Sequence, residues 1–159
     1  MIGDSAGGGL ALALAQRIRD NGLVRPAALS LVSPWADLTL SNASITAWAA
    51  TEMMLSQRGL ALDADRYRGA APADDPRVSP LLGPMQDLPP TFIQVGSEEM
   101  LFDDARLTAE RVAAAGGDVH LQIWDGMAHA WPAFGAAVPE AAASIAALGC
   151  FCRRWLSGE

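Results

Sequence analysis

Gly3-Asp4-Ser5-Ala6-Gly7 sets a serine between small residues in a G-x-S-x-G pattern, and the alanine- and leucine-rich run behind it reads as a helix. Such a turn lifts a hydroxyl clear of a sheet, and the amide of the next residue, Ala6, can donate to an oxyanion. The chemistry implied is nucleophilic attack on a carbonyl. The pattern alone is weak, since three specified positions arise by chance in roughly one chain in twenty of this size, as a plain glycine-rich turn. Serine at its free pKa needs a base, and the base needs a group that fixes its tautomer. The chain has two histidines. His120 lies inside an apolar strand pattern, whereas His129 sits in Gly126-Met-Ala-His-Ala-Trp131 just past it. Loops at the carboxyl ends of parallel strands converge on sites, so His129 is the expected base. Gly96-Ser-Glu-Glu-Met-Leu-Phe-Asp-Asp104 offers four carboxylates. Asp103 and Asp104 fall at a helix start, where acids offset the dipole, which leaves Glu98 and Glu99 to contest the third place.

These residues need a scaffold. From about Ala6 to Asp20 the composition, the basic Arg17 and Arg19 and the following Asn21-Gly22 predict a helix with a C-terminal stop. Ala28 to Ser33, stopped by Pro34, predicts a buried strand; Thr91 to Val95 and Val119 to Trp124 predict two more. A helix is expected from Asp103-Asp104 through Ala115, and another from about Pro139 to Leu156. The middle, Trp35 to Pro90, is punctuated by proline, with helical patches around Ile45 to Ala50 and Ser56 to Arg68. Its loops are long enough to form a functional wall. The alternation implies an α/β fold whose parallel sheet is covered by helices on both faces.

Gly3-Asp-Ser-Ala-Gly-Gly8, Ser33-Pro-Trp-Ala-Asp37, Asp75-Pro-Arg-Val-Ser-Pro-Leu81, Gly96 to Asp104 and Gly126 to Trp131 span nearly the whole chain. In these motifs and their order the sequence resembles the hormone-sensitive-lipase-like (family IV) branch of the α/β hydrolases. The resemblance implies a carboxylic ester hydrolase acting through an acyl-enzyme on short- to medium-chain esters, with no metal or cofactor. The family's chain order is serine, acid, histidine. Its acid motif, like G-x-x-D-x-L-x-D-E, puts Glu99 where the aspartate usually stands, with Leu101 and Asp103 in register. That substitution is one methylene longer, and Glu98 stays a rival. The family also implies that Ser33 to Met54 and the Pro80 region line an acyl or alcohol pocket, for which Trp35, Trp48, Met53 and Met54 are candidates. Core packing has at least an equal claim on each.

The family draws further oxyanion donors from an H-G-G-G type loop upstream of the elbow, and no such sequence occurs here. Earlier strands and cap helices are also missing, and Met1-Ile2 is all that stands for the strand entering the elbow. Residues 1–159 are thus expected to be a partial domain, the C-terminal half of an α/β-hydrolase sheet with about three strands and flanking helices. Such a chain alone would be a weak esterase and poorly soluble. The rival reading is a non-catalytic remnant or ligand-binding module on the same scaffold.

Composition bounds the partners. The net charge is -7, and arginines such as Arg66, Arg68, Arg153 and Arg154 are scattered or paired, which excludes a phosphate-neutralising stripe and argues against nucleic acid. No apolar run approaches the roughly 20 residues that span a bilayer, and Leu10 to Ala15 reads as a buried helix face rather than a signal-peptide core. Cys150 and Cys152 are two apart in an expected helix, so they point to different faces and make a poor mutual disulfide. A reducing, cytoplasmic compartment fits that usage. Nothing has metal-ligand spacing, and nothing speaks to oligomeric state.

Overall fold

A computed structural model gives the structure of the chain, and residues 1–156 are described. Among these residues four strands, rather than about three, form one parallel sheet in the order β1-β2-β3-β4: β1 (Ile2–Asp4), β2 (Leu29–Val32), β3 (Thr91–Gly96) and β4 (Val119–Trp124). The extra strand is β1. Three residues are too few to show a period in the sequence, and pairing defines them instead: Ile2 lies opposite Ser30, Gly3 opposite Leu31 and Asp4 opposite Val32. The Met1 amino group donates to the Ala28 carbonyl at 2.7 Å, which extends the ladder by one rung.

Alternation along the strands decides which helix covers which face. Leu29 and Leu31 of β2 and Ile93 and Val95 of β3 pack with Ala11, Leu12 and Ala15 of helix α1 (Ser5–Asp20) and with Ala105, Ala109 and Val112 of helix α4 (Phe102–Ala114). Each fully buried Leu or Ile contributes on the order of 2 kcal/mol. The intervening residues face helix α5 (Pro139–Leu156), against which Phe92 stacks on Phe151 with centroids 5.1 Å apart. Gln94, fully buried on that face, is satisfied: its amide nitrogen donates to Gln122 Oε1 at 3.0 Å and its carbonyl accepts from Ser144 Oγ at 2.9 Å. The Ser144 contact ties α5 to the sheet, and the Gln122 contact joins β3 to β4.

The long connection between β2 and β3 carries α2 (Ala43–Ala47) and α3 (Gln57–Arg68). Ser56 caps α3 by accepting from the Gly59 amide at 3.1 Å. Asp104 holds the start of this connection, and here the expectation of a simple dipole-compensating acid is corrected. Its carboxylate is 1% exposed and accepts from the Ala36 and Asp37 amides, each at 2.8 Å, and from Asn42 Nδ2 at 2.7 Å. Burial pushes its pKa up to about 7 against the pull of those three donors. Asp103 accepts from the Ser44 amide at 2.9 Å, so both acids stitch α4 to the connection. Both cysteines are free, Cys150 exposed and Cys152 half-buried. No helix among the described residues is long and apolar enough to cross a membrane.

Candidate active site

Ser5 stands where β1 turns directly into α1, at φ +50°, a left-handed conformation that costs a non-glycine residue on the order of 1 kcal/mol. The chain tolerates the turn because its neighbours are small. A Cβ on Gly9 would collide with the Trp35 carbonyl, so glycine there lets α1 lie against the loop that follows β2. The turn is further held by the Trp35 amide, which donates to the Ser5 carbonyl at 2.9 Å.

His129 and Glu99 come from the carboxyl ends of β4 and β3. The Glu99 turn crosses the His129 loop closely: a Cβ on Gly96 would strike the Met127 carbonyl, and the Glu98 amide donates to that same carbonyl at 3.2 Å. Glu99 is fully buried and His129 is 2% exposed. His129 Nδ1 lies 2.8 Å from Glu99 Oε2, and the other carboxylate oxygen accepts from the Gly96 amide at 3.1 Å. A buried carboxylate at Nδ1 favours the tautomer with its proton there, leaving Nε2 as acceptor. Ser5 Oγ is 2.9 Å from that nitrogen. The arrangement can carry a proton from serine to imidazole and steady the resulting cation. Glu98, the rival acid, is exposed, and the carboxylate that meets the ring is that of Glu99.

Ala6 is exposed at the start of α1, where first-turn amides have no intrahelical acceptor and the dipole favours negative charge. Beside it opens a cleft of about 270 Å³ lined by Ala6, Gly9, Leu10, Trp35, Leu38 and Tyr67 among others. Of the four candidate pocket residues, Trp35 lines this cleft, Trp48 does not, and neither do Met53 and Met54. Glu52 explains their position: its carboxylate accepts from the Met54 amide at 3.0 Å and the Met100 amide at 3.3 Å, which ties their loop to the acid turn and leaves the methionines 77% and 53% exposed. Leu38 and Tyr67 were not singled out in the sequence. Neither has chemistry of its own to flag it, and Tyr67 reaches the cleft only because α3 folds back beside α1. A larger cleft of about 380 Å³ runs along α1 from Leu10 to Asn21; neither cleft is lined by Ser5, Glu99 or His129, and the smaller one is set apart by its contact with Ala6, next to the serine.

Two more residues near the ring adopt left-handed backbone. Ser33, fully buried, has φ +46°, and Ala130, next to His129, has φ +51°. The Ser33 hydroxyl accepts from the Ala130 amide at 3.1 Å. The sequence placed Ser33 at the start of a motif and of an implied pocket wall but gave no sign of this conformation or contact, because the residue before a proline ordinarily takes an extended conformation.

Known proteins resemble this chain closely. A family model described as alpha/beta hydrolase fold matches residues 1–133. An acetyl-hydrolase of Streptomyces hygroscopicus is 42% identical over 153 residues, which cover 96% of this chain and 51% of that protein. The crystal structure of an esterase from the bacterial hormone-sensitive lipase family superposes with a TM-score of 0.94 at 39% identity, over 97% of this chain and 52% of that one. An esterase soaked with p-nitrophenyl butyrate gives 0.93 at 40% identity, over 98% and 52%. The chain thus spans about half the length of the proteins it matches. By family model, sequence identity and superposition alike, it belongs to the α/β hydrolases, on their hormone-sensitive-lipase branch.

Proposed function

We propose that this chain carries the nucleophile, base and acid of a carboxylic ester hydrolase. The observation that carries the reading is the continuous line from Ser5 Oγ to His129 Nε2, 2.9 Å, and from His129 Nδ1 to Glu99, 2.8 Å. Ser5 attacks the ester carbonyl while His129 takes its proton. The Ala6 amide donates to the oxyanion, and Glu99 orients the ring and stabilises its charged form. His129 then protonates the departing alkoxide, leaving an acyl-serine. Water, deprotonated by His129, attacks the acyl carbon; the acid departs and Ser5 regains its proton. No step calls for a metal or cofactor.

A 270 Å³ cleft falls just below the usual range of about 300–1,000 Å³ for ligand pockets, which favours a short acyl or alcohol group. The acetyl-hydrolase relative and the esterase soaked with a butyrate ester support the same size class. Residues 1–159 contain no His-Gly-Gly-Gly sequence, and a single lost oxyanion donor costs about 10²–10³ in turnover, so slow turnover is expected of these residues alone. The test is covalent labelling by a fluorophosphonate, which needs an activated serine rather than rapid turnover. Labelling of the wild type and none of Ser5→Ala supports the reading. An unlabelled wild type that is folded by circular dichroism would instead favour a non-catalytic module on this scaffold.

A further inference from the structure

We infer that Ser33 is a positioning residue for His129; the inference rests on the hydrolase reading and adds a residue to it. A fully buried serine before a proline has two reasons to avoid a left-handed backbone, its Cβ and the proline ring, yet Ser33 sits at φ +46°. Its own amide still completes the sheet ladder, donating to the Gln94 carbonyl at 2.7 Å. What the unusual backbone achieves is the direction of the side chain, whose hydroxyl meets the Ala130 amide at 3.1 Å. Ala130, one residue past the ring, is left-handed as well at φ +51°.

These contacts close a ring around the site. Ser5 Oγ meets His129 Nε2; His129 is bonded to Ala130; the Ala130 amide meets Ser33; and two residues on, the Trp35 amide returns to the Ser5 carbonyl at 2.9 Å. Glu99 holds the imidazole at Nδ1, and the Glu98 amide holds the loop ahead of it at the Met127 carbonyl. The Ser33 hydroxyl anchors the backbone on the other side of the ring, at Ala130. It touches neither substrate nor the reacting atoms, and it acts only through the placement of Nε2.

Two variants separate this role from a merely structural one. Ser33→Gly deletes the hydroxyl and relieves the left-handed backbone, whereas Ser33→Ala deletes the hydroxyl and keeps the strain. In the 159-residue chain, both are expected to slow fluorophosphonate labelling of Ser5 about ten- to a hundredfold, the scale of a small misplacement of a reacting group. Their thermal midpoints should diverge, with Ser33→Gly at or above the wild type and Ser33→Ala below it. The His129 Nδ1–H proton resonance should shift or broaden in both. Labelling that follows the thermal midpoint, normal in Ser33→Gly and slow in Ser33→Ala, would make Ser33 structural and overturn the inference. A wild type that is not labelled at all refutes the hydrolase reading, and the His129 resonance then judges Ser33 by itself: unchanged in Ser33→Gly, it overturns the positioning role.

Discussion

At Glu99 both carboxylate oxygens face N–H groups, one on the His129 ring and one on the Gly96 backbone. An amide cannot serve both, because its NH₂ group must confront one of these donors. Glu99→Gln is therefore expected to lower the rate of Ser5 labelling or ester turnover severely, toward the factor of about 10⁴ seen for acid-to-amide changes in serine proteases. Glu98→Gln, at an exposed position, should stay within a few-fold; the reverse ranking would move the role to Glu98. Asp104 makes a second claim at this scale, this time on stability. Its folded pKa of about 7 stands above the ordinary value of 3.8, chiefly through burial. Between those values the folded chain holds a proton that the unfolded chain releases, so stability is greatest below about pH 4 on this account and is lost as pH rises through 7. At 1.36 kcal/mol per unit the loss is on the order of 4 kcal/mol at most. Urea midpoints from pH 4 to 8 should show the fall, and Asp104→Asn should flatten it; a flat wild-type profile would mean that the three donors keep the group ionised throughout.

How elements meet is best tested at two neighbouring glycines of α1. A Cβ on Gly9 runs into the Trp35 carbonyl, whereas one on Gly7 finds nothing nearer than the Asp4 side chain at 3.9 Å. Gly9→Ala is expected to cost about 1–3 kcal/mol as α1 is pushed from the loop after β2. Gly7→Ala should be neutral or gain up to about 1 kcal/mol from helix propensity. Denaturant midpoints distinguish the two, and equal losses would refute the packing argument. The same elements show what can be read from the chain. Strand β4 and helix α5 occur at their expected bounds, since a run of apolar and β-branched residues and a long alanine-rich stretch are local signals. Ser5 and His129 were picked out for a like reason, each sitting at a punctuated end of an element, whereas Glu99 was preferred to Glu98 only through register with the acid motif of the family the sequence resembles. Helix α2 was expected near Ile45 to Ala50 and occurs at Ala43–Ala47, where the Ser44 amide meets Asp103 from 59 residues away. Contacts of that kind, like the burial of Asp104 and the Ser33 tether, are made by the tertiary fold and leave no periodic mark.

At the scale of the molecule, β1 stands at one edge of the sheet and has a ladder partner on one side only. Ile2, its first residue, is 58% exposed, and Leu10 and Leu14 of α1 are 56% and 45% exposed. An unpaired apolar edge is a template for another chain, so the 159-residue chain is expected to self-associate in sedimentation experiments. Ile2→Lys should reduce that association; a wild type that stays monomeric at high concentration would show that the edge is protected. The separation of the site residues along the chain has a kinetic consequence. Ser5 and His129 are 124 positions apart, and Ser33 and Ala130 are 97 apart. Contacts so distant in sequence, in a wholly parallel sheet, form only after large loops have closed, which makes such topologies slow to fold. No partly folded species that lacks β4 brings imidazole to serine. On the proposed mechanism, reactivity toward a fluorophosphonate would then appear in step with the last strand, and a stopped-time labelling series during refolding would count native molecules while helix signals, arising earlier, counted all collapsed ones.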